Sequence, residues 1–243
     1  SLLENPRYPS IDEAMDKWNE YVKSFGFGQK LGSDFPSELG GNIPDSKYYN
    51  RVYRKGGWKA TTVISLSIGQ GEIGCTPLHL ANLCATIANR GFYYTPHIIK
   101  DSENVTIDPK YKEKHYTLVD TVHFQKVIGG MYRAVNSGYG SGGTASIAAV
   151  DGLDICGKTG TAQNRGKDHS AFMGFAPMND PKIAVSVYVE NARGGGGTWA
   201  APIASLVVEK YVRGTVERKD FEKLYMDATP CQKLPIIRNK KHK

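Results

Sequence analysis

The sequence predicts an α+β fold, helices packed on an antiparallel sheet, and three features of the chain carry that prediction. Apolar residues recur at helical spacing in three separate stretches before residue 136. From about residue 153 the spacing changes to a period of two, and three alternating runs follow one another across short polar breaks. A last apolar helical stretch closes the pattern. Helices, then consecutive strands, then a helix is the order expected of an antiparallel sheet rather than of a parallel sheet with interleaved helices.

The elements follow in order. The first helix is expected from Ile11 to Phe25: Ser10 and Glu13 have the spacing of a capping box, and Ile11, Ala14, Met15, Trp18, Val22 and Phe25 share a face. Gly26 is placed to end it. Residues 26–60, rich in Gly, Pro, Ser and Asp, read mostly as loop. Residues 62–71 form a short alternating run that closes on glycines. In the second helix Thr76 can cap, Pro77 suits the first position and Gly91 follows the end. Its apolar face is Leu80, Leu83, Cys84, Ile87 and Ala88. A third helix is expected from Thr121 to Val135, with Phe124, Val127, Ile128, Met131 and Val135 inward. Strands are expected over 153–163, 169–176 and 182–190, and residues 177–181 are few enough to join the last two as a hairpin. Gly194 to Gly197 lead into an apolar helix from Ala201 to Val212. Residues from about Arg213 onward receive no assignment.

Composition sets the outer limits. A chain of 243 residues suits one large domain or two small ones. No run reaches the roughly 18 apolar residues that would span a bilayer, and the N-terminus lacks the order of a signal peptide. The opening Ser1-Leu2-Leu3-Glu4-Asn5-Pro6 reads like a cut inside a longer chain. The net charge of +7 owes much to the basic tail from Arg238 to Lys243. Without interleaved aromatics that tail reads as a solvated terminus, so nucleic acid is not expected as a partner. A mild basic balance suits work beside anionic envelope polymers or lipid. The four cysteines, Cys75, Cys84, Cys156 and Cys231, form no C-x-x-C pair. Cys84 and Cys156 read as buried small hydrophobes, Cys231 has no role, and the redox compartment stays open. His79, His97, His115, His123 and His169 have no metal-ligand spacing, so neither a metal nor another cofactor is expected. His169 precedes a strand near the candidate site and reads as an exposed loop histidine.

The sharpest chemical signal is Gly157-Lys158-Thr159-Gly160-Thr161 in the first strand. Regular alternation puts Lys158 and Gly160 on one face and Thr159 on the other. Gly160 removes the side chain that would keep a ligand from the backbone, so a peptide could pair along the strand. Lys158 and a nearby hydroxyl would give a carboxylate, or a developing negative charge, a positive field and a donor. Alone the tripeptide is weak, since a match of this kind arises by chance in roughly one chain in ten of this length.

Its surroundings add the weight. Ser65-Leu66-Ser67-Ile68-Gly69-Gln70-Gly71, Thr76-Pro77-Leu78, Ala85-Thr86-Ile87-Ala88-Asn89, Gly157 to Gln163, Gly174-Phe175-Ala176-Pro177, Lys182 to Val187 and Val189-Glu190-Asn191 occur in one order that resembles class B penicillin-binding proteins. The glycines 194–197 with Ala200-Ala201-Pro202-Ile203-Ala204 are most similar to the elongation-type branch, penicillin-binding protein 2. The likeness runs from about Phe25 to Tyr211. It implies a partial penicillin-binding-protein or serine β-lactamase-like transpeptidase fold. It further implies that Lys158 and Thr159 bind the substrate peptide or the β-lactam carboxylate, that Gly160 keeps the strand open, and that the Thr161 backbone N–H is half of an oxyanion hole. The implied partners are peptidoglycan stem peptides, β-lactams and a glycosyltransferase of the elongation machinery. The implied place is the bacterial inner membrane, with the catalytic domain on the periplasmic side.

One departure from the family pattern stands out. No serine in the chain has lysine three residues later, so the Ser-x-x-Lys nucleophile is absent. Ser-x-Asn occurs once, as Ser102-Glu103-Asn104, after the Gly-Gln-Gly segment rather than before it, and reads as a polar loop. Both family motifs are expected upstream of Ser1. The expectation is therefore residues 1–213 as the C-terminal portion of a transpeptidase domain, inactive alone, with 214–243 as a basic C-terminal extension. The other readings are a transpeptidase of the septal, division-specific branch and a non-catalytic scaffold that keeps the fold and binds peptidoglycan or envelope proteins. Apolar surface left open by a missing half would favour a dimer.

Overall fold

The computed structural model describes residues 3, 5–100, 105–138 and 141–229. Cys231, the basic tail and Ser102-Glu103-Asn104 lie outside them. Two compact units divide the chain: Ser1–His79 with Phe92–Asp120, and Leu80–Gly91 with Thr121–Lys243.

In the first unit, α1 (Ile11–Lys23) starts as expected, with Ser10 Oγ accepting from the Glu13 N–H at 3.2 Å. It stops two residues short of Phe25, where Ser24 closes the helix and Gly26 turns the chain at φ 90°. A second helix, α2 (Ser46–Tyr53), stands inside the stretch expected to be loop. Asp45 caps it by accepting from the Tyr48 N–H at 2.8 Å, and the Asp16 carboxylate accepts both the N–H and the hydroxyl of Ser46. Tyr49 is fully buried in a cluster with Met15, Trp58, Val63 and Leu66. That burial, not helix propensity, supports eight residues that would be marginal alone.

The run 62–71 is not extended. It forms a 3-10 helix over Ile64–Ile68, which turns Val63 and Leu66 inward and leaves Ile64 and Ile68 68% and 73% exposed. Alternation would have put Ile64, Leu66 and Ile68 together. A two-stranded ribbon also goes beyond the expected elements: β1 (Phe92–Tyr94) pairs antiparallel with β2 (Lys114–Tyr116). Glu38 organises the loop before α2, its carboxylate accepting from the N–H groups of Leu31, Gly32 and Ser33 at 2.6, 3.1 and 3.0 Å.

The helix α3 (Pro77–Ala88) carries the chain into the second unit, where Cys84, Ile87 and Ala88 are buried. A 3-10 turn over Thr121–His123 precedes α4 (Phe124–Asn136), so the helix proper begins three residues later than expected. Phe124, Ile128, Met131 and Val135 are buried, but Val127 is 46% exposed. The buried four make one stripe along the helix, and Val127 falls at its margin.

The sheet consists of β3 (Cys156–Ala162), β4 (His169–Ala176) and β5 (Ile183–Val189), antiparallel and side by side in chain order. The antiparallel sheet and the hairpin agree with expectation, although β3 starts three residues late. Two further helices follow, α5 (Ala200–Arg213) and α6 (Lys219–Asp227), the second in the segment left unassigned. One face of the sheet meets α4 and α5 in a core that includes Val135, Ile155, Phe172, Ala200, Ala204 and Val208.

At the far end of α5, Glu209 is fully buried. Its carboxylate accepts from Arg218 Nε at 2.8 Å, from the Glu217 N–H at 3.0 Å and from Arg213 Nη1 at 3.5 Å. Arg218 also donates to Ser205 Oγ at 3.0 Å.

Two predictions follow from these carboxylates. Truncation in Glu209→Ala leaves two arginines facing an apolar gap and lowers the denaturant-unfolding free energy by about 2–3 kcal/mol, the arginines' partial exposure moderating the loss. For Glu38, burial opposes ionisation, but the N–H groups of Leu31, Ser33 and Gly32 and the Ser33 hydroxyl outweigh it and hold the carboxyl below its ordinary value of 4.5. A depressed folded value means the contribution is complete above 4.5 and is lost as pH falls below it. Glu38→Gln should therefore flatten this acid limb of the stability–pH profile, and an unchanged limb would refute the assignment.

Candidate functional site

Alternation and register place every residue of the Gly157–Thr161 segment. Lys158 lies opposite Met173, Thr159 opposite Phe172, Gly160 opposite Ala171 and Thr161 opposite Ser170. Lys158 and Gly160 thus share one face of β3, while Thr159 and Thr161 share the other with Phe172, the face that meets α4 and α5. Among the described residues β3 has β4 as its one neighbour in the sheet, so it is an edge strand. Lys158 is exposed, and its Nζ donates to the Thr159 carbonyl at 2.8 Å.

The glycines of this region are packing devices. A side chain at Gly157 would strike the Phe172 ring, whose Cε2 lies 2.7 Å from the position a Cβ would take. A second tight approach lies further along the same strand pair. A Cβ on Gly196 would lie 2.8 Å from Gly160 N and 2.7 Å from its O, and closer still to the Ala171 carbonyl. A Cβ on Gly195 would sit 2.6 Å from Thr161 Oγ1. The chain at 195–196 therefore lies flat on the β3–β4 pair, with no room between the backbones.

Ser170 ties this contact down. It is fully buried, donates from Oγ to the Gly195 carbonyl at 2.9 Å and accepts from the Ala200 N–H at 3.0 Å, so both capacities of one hydroxyl are used. Nothing in the sequence marks Ser170 for this role, and Gly196 is visible only as one of the glycines 194–197. The run of four glycines was the visible signal, but what it packs against lies more than twenty residues away in the chain.

Other expected features fall around the strand. His169 is the first residue of β4 and half-buried, not an exposed loop residue. Its Nδ1 accepts from the Asn191 N–H at 3.0 Å, its Nε2 is 3.0 Å from Asn164 Nδ2, and its ring lies 5.3 Å from Tyr188. Those bonds fasten the strand ends and explain its burial. Cys84 and Cys156 are fully buried, and burial pushes both thiols up, Cys156 to about 12 with Asp154 adding to the effect. Both are inert at neutral pH. No group of three or more His, Cys, Asp or Glu side chains that could hold a metal occurs among the described residues.

Known proteins place this arrangement. The penicillin binding protein transpeptidase domain matches residues 12–209. The chain belongs to the penicillin-binding protein transpeptidase family. Two relatives are peptidoglycan D,D-transpeptidases named MrdA. That of Haemophilus influenzae is 32% identical over 217 residues, covering 82% of this chain and 33% of the relative. That of Acinetobacter baumannii is 34% identical over the same length, 82% of this chain and 31% of the relative. The crystal structure of Pseudomonas aeruginosa PBP2 in complex with WCK 5153 superposes with a TM-score of 0.69 at 31% identity, over 89% of this chain and 45% of that one. The chain thus spans about a third of the length of these two transpeptidase relatives.

Membership gives the Gly195–Gly196 contact a consequence for the transpeptidase strand. In Gly196→Ala the new methyl meets the Gly160 and Ala171 backbones, which have no side-chain end to yield. The substitution is expected to cost about 2–3 kcal/mol and to accelerate amide hydrogen exchange in residues 157–161, whereas Gly166→Ala, where a Cβ meets nothing within 4 Å, changes neither.

Proposed function

We propose that this chain provides the peptide-binding wall of a D,D-transpeptidase that cross-links peptidoglycan stem peptides through an acyl-serine intermediate and is acylated by β-lactams. The observation that carries the reading is the intact Gly157–Thr161 segment on an edge strand, inside a family match from 12 to 209. An edge strand offers main-chain groups to an incoming peptide, and Gly160 leaves that approach clear. Lys158 supplies the positive field for the terminal carboxylate of the peptide or its mimic in the β-lactam, and Thr159, on the opposite face of the same edge strand, is the second carboxylate contact that the family resemblance implies. The Thr161 N–H supplies one donor to the oxyanion that forms when a serine attacks the carbonyl carbon.

The serine itself belongs to a Ser-x-x-Lys motif in the longer parent protein, whose lysine removes the hydroxyl proton. No such motif occurs in these 243 residues, so the chain is inactive alone. Residues 1–213 form the C-terminal portion of the transpeptidase domain, and 214–243 are an extension of it. No metal or organic cofactor enters this scheme. The likeness to Pseudomonas aeruginosa PBP2 supports the elongation-type reading, and that reading carries an inner-membrane parent working on the periplasmic side beside a glycosyltransferase. No helix among the described residues is long and apolar enough to cross a membrane. Exposed Ile64 and Ile68 support self-association of the isolated chain.

The rival reading is a scaffold that never carried the serine. Loss of the nucleophile relaxes the demand on the substrate wall, and the unbroken Gly157–Thr161 segment argues against it. The test is intact-mass spectrometry after incubation with a penicillin. One adduct is expected on the parent protein that includes the upstream segment, and none on this chain. Lys158→Ala in the parent should slow adduct formation about tenfold or more, for the loss of a charge-assisted contact. No adduct on the parent would establish the scaffold.

A further inference from the structure

Helix α6 has no fully buried residue, yet its N-cap Arg218 and its Tyr225 both reach back to the rest of the unit. At one end Arg218 is held by the buried Glu209 and lies over the Phe221 ring at 4.8 Å, and that ring packs tilted against Tyr225 at 4.9 Å. At the other end Tyr225 donates its hydroxyl to the Thr198 carbonyl at 3.1 Å and sets its ring edge-on to Trp199 at 6.0 Å. Burial pushes that hydroxyl up to about 12, so it remains a neutral donor throughout the physiological range.

Thr198 and Trp199 close the glycine turn. Trp199 is buried and its Nε1 donates to the Arg193 carbonyl at 3.2 Å. Within that closure the Thr198 N–H bonds to Gly195 O and the Ala201 N–H to Gly196 O, each at 2.9 Å. Gly195 and Gly196 are the residues stacked on Thr161 and Gly160. The path from Tyr225 to the strand is thus two hydrogen bonds to Gly195, which faces the Thr161 side chain, and one peptide link on to Gly196, which meets the Gly160 backbone.

We propose that Tyr225 is a positioning residue for the peptide-binding strand, holding the Thr198–Trp199 turn so that the glycine pair keeps Gly160 and Thr161 in place. The proposal rests on the reading of β3 as the substrate wall. The contact has no slack. Gly196 meets Gly160 and Ala171 backbone to backbone, with no side-chain rotamer to absorb a shift, so displacement of the turn at Thr198 appears at Gly160 and, through the next peptide link, at the Thr161 N–H. An oxyanion donor is sensitive to shifts on the order of 1 Å, so the effect falls on acylation and not on stability alone.

The experiment uses the parent protein with its own nucleophile and a fluorescent penicillin, comparing Tyr225→Phe, Tyr225→Ala and Met226→Ala, the last an exposed neighbour on α6. Tyr225→Phe keeps the ring and loses the donor. It is expected to lower the acylation rate constant about fivefold, the effect of one hydrogen bond. The penicillin concentration at half-saturation and the thermal midpoint should change little. Tyr225→Ala lowers the rate further, and Met226→Ala leaves it unchanged. Hydrogen exchange of residues 156–163 should quicken in both tyrosine variants. Acylation of both at the unmutated rate, or a rate that falls only in step with the thermal midpoint, overturns the proposal while the functional reading stands. Failure of the unmutated parent to form an adduct overturns both.

Discussion

Where Gly195 and Gly196 cross the β3–β4 pair, two backbones meet with nothing between them, and the second unit is arranged around that contact. Ser170, in the central strand, bonds to Gly195 on one side and to the first residue of α5 on the other. The hydroxyl therefore fixes the turn and the start of the helix at once. From that start α5 runs across the sheet and places Ala200, Ala204 and Val208 over Phe172. Phe172 in turn occupies the space that Gly157 leaves open. A buried hydroxyl with both capacities used is costly to replace with an apolar group, because the Gly195 carbonyl and the Ala200 N–H would both lose their partner.

The sheet was the most legible part of the fold. Residues 182–190 alternate most clearly, with Ser186 and Tyr188 set between valines, and the break bounded by Pro177 and Pro181 before them leaves a hairpin as the simplest connection. Helices with strong end signals were legible too, α1 by Ser10 and α3 by Thr76 and Pro77. What escaped reading owes its structure to distant contacts. Helix α2 has one fully buried aromatic residue in eight, and its caps, Asp16 and Asp45, come from outside the helix or next to it. The segment Ile64–Ile68 looks alternating because isoleucine and serine alternate in it, but the tertiary cluster recruits Val63 and Leu66, three apart. The ribbon of β1 and β2 joins segments twenty residues apart, each three residues long, too short for a periodic signal.

The candidate site divides along the same line. Lys158, Thr159, Gly160 and Thr161 are adjacent in sequence, so a local pattern sufficed to find them, and the spaced motifs around them supplied the family. Their support was invisible to local reading, because Ser170, Gly196, Thr198 and Tyr225 reach β3 only through the folded chain. Sequence likeness points to the candidate strand, and the geometry shows what it packs against.

The knot at Glu209 has a consequence for how this protein can drift. Its carboxylate is sealed from water and committed to Arg218, the Glu217 N–H and Arg213, so a change at one member strands the charge of another. Joint replacement by apolar side chains of matching volume would be far cheaper than either single step. Positions 209 and 218 should therefore change together across descendants of this lineage, as a covarying pair whose intermediates are selected against. The C-terminal helix would be inherited along with them, although none of its own residues is fully buried.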